Sequence, residues 1–399
     1  MSYIQKGSKD FKKTNIALFA GGFSTFAILY STQPLLPYLA KEFHITPAVS
    51  SLSLSTATIT LAVSLLIVGS LSEALGRKPI MTFSMFSASI LAVLTGFAPN
   101  FHVLLALRIL QGFVLSGLSA IAMAYLSEEI EEKSLGTAMG IYISGNSLGG
   151  MFGRIIIGIV TDIFNWRIAL ISVGVLSIVT SIIFVIELPK SKHFKPRTLE
   201  IKNLYKSLFN HLKNPSLLCL FGIGFLLLGS FVTLYNYIGF QLIAPPYSMS
   251  QTLVSFIFIL YLMGTFSSTW MGRMADKHGQ QKILFSALFI MFIGITITLS
   301  ISLILKIVGV ALLTFGFFGG HSIASSLVGR LASHDKAQAA SLYLFFYYVG
   351  SSIGGTAGGT FFTLYGWNGV VGIIVCFIIL ALILLKILSS TKINITSGR

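Results

Sequence analysis

The chain has 399 residues, of which 54% are hydrophobic and only 10% charged. Soluble domains carry about 25% charged residues, so this balance excludes a soluble globular protein and points to a helical membrane protein that crosses the bilayer many times. The net charge of +15 does not mark a nucleic-acid binder, because the basic residues lie in short loops between apolar runs, where they act as topology signals.

Residues 1–15 are polar and basic, with Lys6, Lys9, Lys12 and Lys13. An apolar run from Ile16 to Leu39 follows. It is too long for a signal-peptide core and lacks a small-residue cleavage site, so it is predicted to be a retained first helix. Further spans are predicted at 49–69, 79–98, 102–126, 135–160 and 167–187. A polar linker then carries Lys190, Lys192, Lys195, Arg197, Lys202, Lys206 and Lys213. Within it, Leu204–Leu212 reads either as an amphipathic helix on an anionic inner leaflet or as part of a flexible tether. The second set of spans is predicted at 216–241, 252–271, 283–304, 307–328, 338–363 and 369–388. The expected fold is therefore an all-α membrane protein of twelve helices in two pseudo-symmetric bundles: 1–188, a cytoplasmic linker 189–214, and 215–399. With the N-terminus inside, the outer loops hold only Lys41, Arg167 and Lys306, so both termini are expected in the cytoplasm. Cys219 and Cys376 both sit in apolar segments without metal-ligand neighbours, and no disulfide, metal or cofactor is expected.

The two halves share motifs. Gly69, Glu73, Gly76, Arg77 and Lys78 form a short charged elbow between the second and third spans. It returns 203 residues later as Gly272, Asp276, Gly279 and Lys282, with Gln280 and Gln281 in place of the basic pair. Tyr30-Ser31-Thr32 matches Tyr235-Asn236-Tyr237, and Gly145 to Gly150 matches Gly350 to Gly355 at an offset of 205. Trp166 and Trp367 fall at corresponding corners. Such parallel duplication is a recurring transporter design.

The elbow resembles the signature loop of the major facilitator superfamily, with Glu73 where that family usually has Asp. Leu104, Arg108, Gln111 and Gly112 resemble its fourth-helix motif. Gly145, Gly149, Gly150, Gly153, Arg154 and Gly158 resemble its antiporter motif, with Gly150 in place of the proline and Arg154 in place of the last glycine. Together with Gln33–Pro37 the pattern is similar to the YnfM-like group of twelve-helix bacterial drug/proton antiporters, over nearly the whole chain. The resemblance implies a monomeric, multi-pass transporter of the bacterial plasma membrane, with helices one, four, seven and ten around the cargo cavity and H⁺ as the coupling ion. It also implies that Glu73 and Asp276 latch the inner side, Glu73 near the start of the eleventh helix and Asp276 near the start of the fifth. The competing reading is that the elbows only set topology.

All twelve acidic residues fall outside the middle of the spans, yet Arg108 and Arg154 lie within them, and His321 lies in the tenth. A membrane-embedded ionisable residue costs at least ~2.5 kcal/mol on insertion scales and is a functional candidate by default. Two embedded arginines suggest an anionic or zwitterionic cargo, since guanidinium forks suit carboxylates. Snorkelling for Arg154 and structural roles for Arg108 and His321 are the competing readings. Tyr30, Gln33, Gln111, Asn146, Tyr235, Asn236 and Tyr237 complete the candidate cargo site; Gly149, Gly150 and Gly153 join the elbows as candidate gating residues. The expected function is proton-coupled export of a small metabolite, for example a carboxylate-bearing opine-type metallophore. The alternatives are a multidrug efflux pump and a proton-coupled importer. The spans offer no Walker lysine loop, HExxH or paired acids, so an enzyme is not expected.

Overall fold

A computed structural model describes residues 3–194 and 201–390; Lys195, Arg197 and the rest of 195–200, and residues 391–399, lie outside the described residues. The described chain is made of helices and turns, with one isolated bridge between Ile4 and Ile130. In order come α1 (Lys9–Leu29), α2 (Leu36–Glu42), α3 (Pro47–Leu75), α4 (Arg77–Thr95), α5 (Phe101–Glu129), α6 (Glu132–Ile163) and α7 (Trp166–Glu187). The linker helix α8 (Ile201–Leu212) leads to α9 (Pro215–Ile243) and α10 (Gln251–Ser255), then through a 3₁₀ turn (Phe256–Leu260) to α11 (Tyr261–His278). The chain ends with α12 (Gln280–Ile297), α13 (Leu303–Leu331) and α14 (Lys336–Ser390).

Ten described helices are long and apolar enough to cross a membrane. The last of them, α14, is two helices meeting at Gly366, whose φ of 59° and ψ of −145° are non-helical. With α1 and α2 forming the first span, the twelve-helix, all-α membrane fold follows. The predicted ninth span runs too far: α12 stops at Ile297, and α13 starts at Leu303.

The first span is not the continuous helix expected over Ile16–Leu39. Pro34 and Pro37 have no N–H to donate to the carbonyls of Tyr30 and Gln33, so the helical ladder fails there. The chain turns instead, with Gln33 N donating to Tyr30 O (3.1 Å) and Leu35 N to Thr32 O (3.0 Å).

Contacts group the chain into two compact units, one of Met1–Leu199 with Ile238–Ile259, the other of Glu200–Tyr237 with Leu260–Arg399. Each repeats one packing device. In the first, Gly145, Gly149 and Gly153 on α6 lie against the α1 backbone at Phe19, Phe23 and Ala27. In the second, Gly350 and Gly354 on α14 lie against α9 at Phe225 and Gly229, and Gly358 meets the Thr233 and Tyr237 side chains. Small residues every fourth position let helix backbones approach this closely. Each unit also has one elbow glycine in the same conformation, Gly76 at φ 97° and Gly279 at φ 96°, a backbone that glycine adopts without a Cβ clash. Gly69 and Gly272 differ: a Cβ added at either would meet nothing.

Candidate functional site

In the first unit the break between α1 and α2 organises the polar residues. At the end of α1 the carbonyl of Ile28 already accepts from Ser31 N (3.2 Å) and the Ser31 hydroxyl (2.9 Å), and Arg108 on α5 reaches both it and the next carbonyl, of Leu29. Its Nη1 donates to Ile28 O (3.0 Å) and Gln111 Oε1 (2.6 Å), its Nε to Ser53 O (2.7 Å), and its Nη2 to Leu29 O. Gln111 is held in turn by donating to Thr95 Oγ1 (3.0 Å). Arg108 is fully buried. A cation at the C-terminal end of α1 also faces the negative end of the helix dipole. The guanidinium thus stabilises a buried helix end.

Arg154 on α6 has a different setting. Its Nε donates to the amide oxygen of Gln33 (2.7 Å) in the same break, and its Nη1 to its own helix at Gly150 O. The guanidinium carbon lies 4.2 Å from the centroid of the Tyr30 ring and 4.8 Å from that of Phe258. Arg154 is 2% exposed, so it does not snorkel. The sequence-predicted residues Tyr30, Gln33 and Arg154 therefore come together around one buried cation. Asn146 does not join them; its Oδ1 lies against Gly22. Phe258 and Gln251, whose side-chain Nε2 donates to Pro34 O, were not foreseen.

In the second unit Tyr235, Asn236 and Tyr237 are all buried. The Tyr235 hydroxyl bonds Thr314 Oγ1 (2.8 Å), and the Tyr237 hydroxyl donates to Gly355 O. Tyr237 thus makes an interhelical tyrosine-to-carbonyl bond. His321 on α13 is half-buried. Its Nδ1 bonds the Tyr343 hydroxyl at 2.9 Å, and its ring stacks on Tyr347 at 4.4 Å. Phe317 stacks on Phe231 at 3.9 Å and also flanks His321. Thr314, Tyr343 and Tyr347 are the missed members; an aromatic-rich run near the start of α14 was the signal for the two tyrosines.

The elbows are tied within their own units. Arg77 pairs with Glu128 through Nη2 (2.6 Å) and Nε (3.2 Å) and also donates to Ser72. Lys78 donates to Val185 O (3.1 Å) and Leu188 O at the end of α7. Glu73 is half-buried and, among the described residues, has no hydrogen bond or ion pair. Asp276 pairs with Arg330 at 3.0 Å, both exposed, a contact worth only ~0–1 kcal/mol. At the same end of the second unit the linker helix is docked on its own unit, an arrangement that neither the leaflet reading nor the tether reading specified. Ser207 donates to Asp335 Oδ2 (2.6 Å), and His211 stacks on His334 at 4.6 Å. The Ser207 hydroxyl, aided by His334, holds the Asp335 carboxyl below its usual value, while burial and then His334 push His211 down.

The family model for the Major Facilitator Superfamily matches residues 18–242 and 226–393. The chain is 54% identical over 382 residues to an uncharacterized MFS-type transporter, YybF, of Bacillus subtilis (strain 168), covering 96% of this chain and 95% of that one. It is 46% identical over 381 residues to the inner membrane transport protein YnfM of Escherichia coli (strain K12), covering 96% and 91%. Among solved structures, a bacterial homologue of the human lysosomal transporter Spinster, in an inward-facing and occupied conformation, aligns with a TM-score of 0.75 at 16% identity, covering 96% of this chain and 97% of that one.

Proposed function

The chain belongs to the major facilitator superfamily, and from that premise we propose that it exports a small anionic or zwitterionic metabolite in exchange for protons. In this reading it works by alternating access, as a monomer in the bacterial plasma membrane with both termini in the cytoplasm. A carboxylate-bearing metabolite of the opine-metallophore type is the cargo class in view. Supporting the cargo reading is the setting of Arg154, a buried cation held against the Gln33 amide oxygen, the Gly150 carbonyl and two ring faces. An anion displaces such partners readily, because its charge-assisted hydrogen bonds are stronger than neutral ones. Arg108, filled by backbone carbonyls, supports the helix break instead of taking cargo. His321, hydrogen-bonded to Tyr343, is the proposed proton-responsive side chain, since imidazole titrates closest to neutrality. Glu73 is the proposed inner latch.

A second reading, multidrug efflux, is favoured by the aromatic cluster of Phe231, Tyr235, Tyr261, Phe317 and Phe318 in the second unit. Inside-out vesicles separate the two. A proton gradient, acidic inside, should drive accumulation of carboxylate metabolites, and their amides should compete weakly. Accumulation of neutral amphipathic dyes with no response to carboxylates would make the multidrug reading the correct one.

A further inference from the structure

Asp162 stands in the last turn of α6, where a carboxylate faces the negative end of its own helix dipole and destabilises it. The compensation comes from another helix. One Asp162 oxygen accepts from Gln251 N (3.2 Å) and the other from Thr252 N (2.7 Å), the first two amides of α10. The Ser250 hydroxyl accepts from Leu253 N (3.3 Å), and Ser250 O from Val254 N (3.0 Å). Val254 N makes the first intrahelical bond, but the three amides before it have no partner inside their own helix, and Asp162 takes two of those three.

The contact around it is tight and local. Gly158, one turn back on α6, has the Ser255 side chain where a Cβ would stand, so the two helices touch there. Gln251 also reaches the α1–α2 break through Pro34 O, and Phe258 covers Arg154. The segment Ile238–Ile259 is thereby part of the first unit, although the chain both enters and leaves it through the second. Transport by alternating access requires the outer side to open, and the segment holding α10 is covalently joined on both flanks to residues of the other unit.

We propose that Asp162 is the outer latch of this transporter: its carboxylate holds the start of α10 on α6 and so sets how often the outer side opens. The inference rests on the transporter reading above. The latch is electrostatic and is not the carrier of the coupling proton, because two backbone donors favour the ionised carboxylate as long as the contact lasts. Tyr38 on α2 is the titratable side chain that senses the Asp162 charge; Ser250 and Thr252 hydroxyls face it from α10, and Arg154, two turns back on α6, is engaged by Gln33. In this arrangement outer opening responds to loss of the carboxylate and not to external pH near neutrality.

The test uses the full chain in intact cells, with Cys219 and Cys376 replaced by Ala. Reaction with an impermeant thiol reagent is followed at S255C, buried at the contact, and at S248C, exposed beside it. D162N should speed reaction at S255C roughly 2- to 30-fold, the range expected for a charge at a helix start, with S248C unchanged. T252P removes the shorter N–H bond from the other side, in a first turn that tolerates proline, and should act in the same direction. D162E should stay near the parent. An S255C rate equal to the parent in both D162N and T252P overturns the latch, as does an equal rise at both reporters, which signals general loosening. Failure of the cargo reading leaves this rate ratio untouched, so the two failures are distinguishable.

Discussion

Exchanging the two buried arginines one at a time separates cargo recognition from fold support. Arg154→Gln removes a cation that Tyr30 and Phe258 hold at 4.2 and 4.8 Å. A hydrogen bond to a charged group contributes about 1.5–3 kcal/mol and a neutral one about 0.5–1.5. A carboxylate cargo should therefore lose about 1–1.5 kcal/mol more than its amide, so its preference should fall about 5- to 13-fold. Arg108→Gln instead removes the guanidinium's bonds to the carbonyls of Ser53, Ile28 and Leu29. At the modest ~0.6 kcal/mol typical of hydrogen bonds inside membranes, three such losses come to about 2 kcal/mol of stability. Arg108→Lys should recover part of it, since one ammonium cannot reproduce the planar fork. The assay is binding of a matched carboxylate and amide to purified variants, alongside thermal melting. The reasoning is refuted if Arg154→Gln keeps the wild-type preference, or if Arg108→Gln changes preference without lowering the melting temperature.

Gly149→Ala and Gly350→Ala place a Cβ on the facing backbone at Phe23 and Phe225 and should each cost about 1–3 kcal/mol in thermal melting, whereas Gly69→Ala and Gly272→Ala should be neutral or stabilising. Docking of α8 should weaken as pH falls from 7 to 5: His211 is held below its ordinary 6.5 when docked, so the released helix binds protons more readily. Asp335, also held low, keeps its contribution until pH falls below 3.8. Hydrogen exchange of the α8 amides reads this, His211→Phe should flatten the response, and a pH-independent wild type would contradict it. Cysteines placed at His102, Tyr247 and Asn368 should react with an impermeant reagent from outside and those at Lys78 and Lys282 should not; the reverse pattern would invert the proposed orientation.

The features that repeat were the ones the sequence displayed. Gly76 and Gly279 share one backbone conformation, and both glycine stripes pack one helix on another, because close packing and tight elbows depend on residue size and spacing, which sequence shows directly. What stayed hidden depended on backbone atoms. Arg108 looked like a cargo ligand because its oxygen partners are carbonyls, which every residue carries and no composition reveals. Three of the four acceptors it uses belong to the backbone, and two of those lie at the end of α1, which stops at Leu29.

The signal for that stop was nonetheless present in Pro34 and Pro37, three residues apart inside an apolar run. Given those prolines, the helix ends on carbonyls inside the bundle, and an embedded cation within reach donates to them. Arg154 has the opposite logic. It shares the break through Gln33 and donates to its own helix at Gly150 O, and two π faces also attract the cation. Two arginines flanking one proline-induced turn thus divide the work. Arg108 supplies the hydrogen bonds that the break withdrew from the backbone. Arg154, tied to the same break through Gln33, is the arginine assigned to the proposed anionic cargo.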